Sequence, residues 1–186
     1  MTTDNLFIPD NIPDSAKMLS SEKYAWLAYL LVVPILAIAY AGIVIRRPYV
    51  VGIAFNKIAF FIGVGLSIVF LVVHELIHAL CCPRDTTVFV YLTSSGIGCV
   101  PACGLKKNRY LLVALMPTIM LGVIPFIIWI CFPGMNVIIS SILFAFSIGS
   151  LSMCVGDIYN AFLAALKMTR RSVLVTSKTD IYYYNE

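Results

Sequence analysis

Between Tyr24 and Ile45 the chain runs for 22 residues without a charged side chain, and Arg46, Arg47 and Pro48 end the run. A helix rises about 1.5 Å per residue, so this stretch can cross the roughly 30 Å hydrocarbon core of a bilayer. Three further apolar runs follow, from Ile58 to about Cys82, from Tyr110 to about Cys131 and from Val137 to about Met168. Of the 186 residues, 61% are hydrophobic and only 12% are charged, against roughly 25% charged in a soluble domain. Such a chain has too little polar surface to cover itself in water. A soluble globular enzyme and a disordered chain are both excluded. The expected class is all-α and integral to the membrane, with four transmembrane helices.

The segments between the spans differ in character. Residues 1–23 are polar, with Pro9 and Pro13, and read as a cytosolic tail that is partly disordered. Residues 24–168 read as a single four-helix transmembrane domain, with no room for a second folded one, and 169–186 as a second cytosolic tail. Pro34 is expected to kink the first span. Between the second and third spans, Val88, Val90 and Leu92 alternate with Phe89, Tyr91 and Thr93, and Ser94, Ser95, Gly96 and Gly98 follow. This predicts a short β-hairpin-like insert. The Tyr182–Tyr184 run suggests a further strand. The centre of the fourth span is rich in Ser and Gly, which let helices approach closely.

Charge sets the orientation. Four spans put the N-terminal tail, the second loop and the C-terminal tail on one side, with ten Lys and Arg residues; the other side holds Arg46, Arg47 and Lys57. Positive loops stay inside, which predicts the cytoplasmic membrane with both termini cytosolic. The net charge of +4 comes from these loops, so the expected partner is the lipid bilayer and no nucleic acid. Six cysteines lie in or beside apolar segments or in one short loop, and are expected to be reduced thiols rather than a disulfide scaffold.

The chemistry is concentrated in very few residues. Of nine acidic residues, seven lie in tails or loops, and only Glu75 and Asp157 sit within apolar spans. The only two histidines, His74 and His78, flank Glu75. Ionisable groups inside a bilayer cost several kcal/mol, so they mark function unless proved otherwise. His74-Glu75-Leu76-Ile77-His78 is an H-E-x-x-H motif. On a helix, positions four apart share a face, so both imidazoles can hold one zinc ion while Glu75 takes a proton from its water.

A catalytic zinc site usually has three protein ligands, and no third histidine exists. Depth selects Asp157. His74 lies 16 residues beyond Ile58, about 24 Å along a helix, and Asp157 lies 20 residues beyond Val137, about 30 Å. Cysteine is the rival: Cys82 follows His78 by four residues, and Cys154 precedes Asp157 by one turn. Asn160, one turn after Asp157, suits either the orientation of a ligand or contact with a substrate carbonyl.

The order of these features resembles the site-2 protease class of intramembrane zinc metallopeptidases. It is closer still to small bacterial membrane proteins described as putative zincin peptidases, which share an H-E-L-x-H-A stretch and a late G-D-I/L stretch. The resemblance spans Val72 to Met168. It implies zinc held by His74, His78 and Asp157, Glu75 as general base, and the insert pairing with an unwound substrate by strand addition. The aspartate follows glycine here, where the larger class has leucine-aspartate-glycine. The expected function is an intramembrane zinc metallopeptidase acting on membrane-embedded or membrane-proximal peptides. Two other classes compete: a non-catalytic metal-binding or scaffold protein with a site closed by Cys82 or Cys154, and a small transporter relaying ions through Glu75 and Asp157.

Overall fold

Seven α-helices and six strands follow one another in the computed structural model, which describes residues 12–49, 55–93, 96–177 and 180–185. Strand β1 (Lys17–Ser20) precedes a 3-10 stretch, Glu22–Leu31, that runs into α1 (Val32–Arg46). After the loop come α2 (Lys57–Val69) and α3 (Leu71–Cys81), then the hairpin β2 (Val88–Thr93) and β3 (Gly96–Pro101). A two-residue β4 (Leu105–Lys106) leads into α4 (Lys107–Pro117), a π-helical segment Thr118–Val123, and α5 (Ile124–Cys131). The chain ends in α6 (Val137–Met153), α7 (Val155–Lys167), β5 (Ser172–Ser177) and β6 (Asp180–Asn185).

Two helical stretches, Trp26–Tyr49 and Lys107–Cys131, are long and apolar enough to cross a membrane. Two more qualify if each bent pair counts as one span: α2 with α3, bent by 40°, and α6 with α7, bent by 51°. Large apolar side chains point outward along these helices, among them Tyr40, Phe61 and Leu80. An outer apolar surface of that extent suits lipid rather than water.

Local chemistry explains where the helices start and change. Asn56 caps α2 by accepting from the Ala59 amide at 3.0 Å, and Asn136 caps α6 by accepting from the Ile138 amide at 2.8 Å. Pro117 lacks an amide hydrogen and closes α4, and the π segment follows at once. Pro34 falls in the first turn of α1, just after the 3-10 stretch Glu22–Leu31 gives way to it, and Trp26–Tyr49 forms one helical stretch.

Small residues hold α2 against α6. A side chain at Gly63 would run into the Ile142 carbonyl and Ala145, and one at Gly149 would run into Ser67. Beyond this contact both chains break, at Phe70 and at Cys154, and continue as α3 and α7. At the far end Arg46 is buried. It donates to Ser140 Oγ at 2.8 Å and to the carbonyls of Phe132 and Pro133, over the ring of Trp129.

The all-α expectation needs correction. The chain is mainly helical, but β1, β6, β5 and β4 form a four-stranded antiparallel sheet in that order. Its strands come from both terminal segments and from the second loop. The cause is visible in Ser172-Val173-Leu174-Val175-Thr176, a β-branched apolar run that is buried from Ser172 to Val175 and whose Leu174 packs on Leu19, Ala164 and Met168. The N-terminal tail, the second loop and the C-terminal tail thus meet at one end of the molecule. The expected hairpin insert is present as β2 paired with β3. Its tip at Ser94 and Ser95, residues 1–11 of the N-terminal tail, and Lys178 of the charge count lie outside the described residues. All six cysteines are free thiols, as expected.

Candidate metal centre

Both broken spans carry the site just past their breaks. His74, Glu75 and His78 lie on α3, and all three are buried; Asp157 lies in the first turn of α7. An N-terminal helical turn is a favourable place for a negative charge. The bends turn α3 and α7 toward each other, which joins residues about eighty positions apart.

The geometry is tight. Asp157 Oδ2 lies 3.0 Å from His74 Nε2 and 3.4 Å from His78 Nε2, and the two Nε2 atoms are 2.9 Å apart. Glu75 Oε1 stands 4.0 Å from His74 Nε2, and His74, Glu75 and His78 form a second group that could hold a metal. His78 Nδ1 meets the Val113 carbonyl oxygen at 2.8 Å. A carbonyl only accepts, so Nδ1 carries the proton, and in the neutral ring Nε2 is left with a bare electron pair. The His78 electron pair and the Asp157 carboxylate therefore meet at close range, an arrangement that asks for a cation.

These residues fit a zinc ion. Ligand atoms about 2.0–2.2 Å from a tetrahedral metal lie roughly 3.3 Å from one another. The three separations observed, 2.9, 3.0 and 3.4 Å, bracket or fall just short of that value. Two imidazoles and one carboxylate leave one tetrahedral position for water or substrate.

Of the rival thiols, Cys154 stays at the site: its Sγ lies 3.5 Å from His74 Nδ1, and His74, Cys154 and Asp157 form one of the groups that could hold a metal. Cys82 packs with Leu105 and Val113 and joins neither of the clusters, among the described residues, that could hold a metal.

The cluster opens into a cavity of about 390 Å³. Asn160 lines it, and its buried Oδ1 has no partner among the described residues. Sequence reasoning missed two parts of this site. The Val113 carbonyl is main chain and leaves no mark in side-chain identity. The β5–β6 hairpin supplies Leu174, Thr176 and Ile181 to the cavity wall; the β-branched run 172–176 was the signal for it.

One family model matches the chain, over residues 67–172, more than half its length, under the description "Putative zincin peptidase". Comparison with curated proteins and with solved structures gives no significant match.

Proposed function

Since the chain belongs to that zincin peptidase family, whose matched segment contains His74, Glu75, His78 and Asp157, we propose that it is an intramembrane zinc metallopeptidase. It would hydrolyse peptide bonds of membrane-embedded or membrane-proximal substrates. Its place would be the cytoplasmic membrane, with four spans, both termini cytosolic and the four-stranded sheet at the cytosolic end.

The observation that carries this reading is the convergence of His74 Nε2, His78 Nε2 and Asp157 Oδ2 within 3.4 Å of one another. These three would hold the zinc. A zinc ion there would supply a Lewis acid and bring the pKa of a bound water to about 7. Glu75 stands 4.0 Å from His74 Nε2, farther than the Asp157 oxygen at 3.0 Å, which suits a general base: its carboxylate takes the proton of the attacking water and returns it to the leaving amine. Val113 and Cys154 hold the two rings in orientation. The apolar helices around the cavity limit the entry of bulk water.

The test is paired. Purified protein is assayed for zinc and for cleavage of synthetic transmembrane-segment peptides in detergent, beside Glu75→Gln. The reading expects full zinc content and no cleavage in the variant. Cleavage at the wild-type rate would overturn it.

A further inference from the structure

The register of the β5–β6 hairpin sets which of its side chains share a face. Leu174 and Thr176 are two positions apart on β5, and Thr176 lies opposite Ile181 on β6. Side chains alternate along a strand and face the same way across a pair, so Leu174, Thr176 and Ile181 stand on one face of the sheet. All three line the cavity onto which His74, Glu75, His78 and Asp157 open. Val173 and Val175 turn to the other face, where a side chain added at Gly104 would meet both. The face of the sheet, not its edge, is therefore a wall of the metal cavity.

The wall is fixed in place. The buried cluster of Leu19, Ala164, Met168 and Leu174 seats it on α7. Strand β6 is paired on both sides, with β1 and with β5. Lys167 Nζ donates to the Leu19 carbonyl at 3.1 Å, and Ser172 Oγ to Asn185 Oδ1 at 2.6 Å. Its chemistry is uniform. Leu174 and Ile181 are aliphatic, Thr176 adds a methyl and a hydroxyl, and none of the three is charged. The ionisable side chains of the cluster come instead from α3 and α7. The two sets also differ in their relation to the family: His74, Glu75, His78 and Asp157 lie within the matched segment 67–172, and Leu174, Thr176 and Ile181 lie beyond it. Metal chemistry and apolar wall are separate parts of one cavity.

We propose that this face sets specificity: Leu174, Thr176 and Ile181 receive one aliphatic side chain of the substrate, beside the bond presented to the metal cluster. Contact with the two aliphatic residues and the Thr176 methyl takes that side chain out of water. A charged side chain loses its hydration there and finds no counter-charge on the face, so it is rejected. A side chain too wide for the space must displace Ile181, which the paired strands hold in place. Thr176 and Ile181 act on the choice of substrate and leave the metal ligands and Glu75 untouched. The inference rests on the peptidase reading.

The test uses the full, zinc-loaded chain in detergent and acetyl-amino-acid hydroxamates that differ only in side chain: glycine, leucine, tryptophan and aspartate. Affinity is read by isothermal titration beside Thr176→Phe and Ile181→Ala, with the zinc content of each protein measured. In the wild type the leucine probe is expected to bind about tenfold or more tighter than the glycine probe, the worth of a buried aliphatic side chain, and the aspartate probe no tighter than glycine. Thr176→Phe fills the face and abolishes the advantage of leucine, while the glycine probe binds as before. Ile181→Ala widens it and raises tryptophan relative to leucine by about tenfold. A leucine-to-glycine ratio near one in the wild type, or probe preferences unchanged in both variants, would overturn the specificity wall and leave the peptidase reading intact. Zinc-dependent binding by none of the probes would overturn both.

Discussion

His78 Nδ1 donates to the main-chain carbonyl of Val113 at 2.8 Å, and so commits Nε2 to Asp157. A helix one span away thus decides which nitrogen of the motif faces the metal. His74 is held alike from its Nδ1 side by Cys154. Nitrogen-15 spectra of histidine-labelled, zinc-loaded protein are therefore expected to show two rings protonated at Nδ1 and metallated at Nε2. A ring bound through Nδ1 would contradict the arrangement.

Glu75 Oε1 stands 4.0 Å from His74 Nε2, farther than the Asp157 oxygen at 3.0 Å. Glu75→Gln is expected to bind one zinc per chain and to lose at least about a thousandfold in cleavage rate, in keeping with removal of a general base from a metal-assisted reaction. Zinc content by atomic emission and peptide cleavage by mass spectrometry check the two halves separately.

Cys154 orients and Cys82 packs. Cys154→Ala is expected to weaken zinc binding by roughly tenfold or more, the usual effect of removing a group behind a ligand. Cys82→Ala should leave zinc affinity unchanged and lower stability modestly through the space it leaves. Competition with a fluorescent zinc chelator reads both. A zinc site lost with Cys82 would restore the four-ligand structural alternative.

The contact between α2 and α6 fixes the two breaks from which the site grows. Gly63→Val forces a side chain against the Ile142 main chain, which has little room to yield. It is expected to lower stability by about 1–3 kcal/mol, seen as a lower melting temperature in detergent. A larger residue at Gly134, where nothing lies within 4 Å, should leave that temperature unchanged.

Much of this was legible in the sequence because the signals were local. The apolar runs announced the helices, the spacing of His74 and His78 announced a shared face, and the alternation from Val88 to Thr93 announced the hairpin. Asp157 was reached by counting depth along two spans, and the structure brings it to 3.0 Å from His74. What escaped was non-local or main-chain. The breaks at Phe70 and Cys154 carry no proline. The sheet joins β1 to β6 across more than 150 residues of chain, a pairing that no window of sequence contains.

The most direct measurement is the zinc content of the purified chain beside His74→Ala and Asp157→Ala. One zinc per wild-type chain, and less than about a tenth of that in either variant, is the result expected of a site in which all three side chains are ligands. Full zinc retention in Asp157→Ala would show that the carboxylate beside His74 is a neighbour and not a ligand.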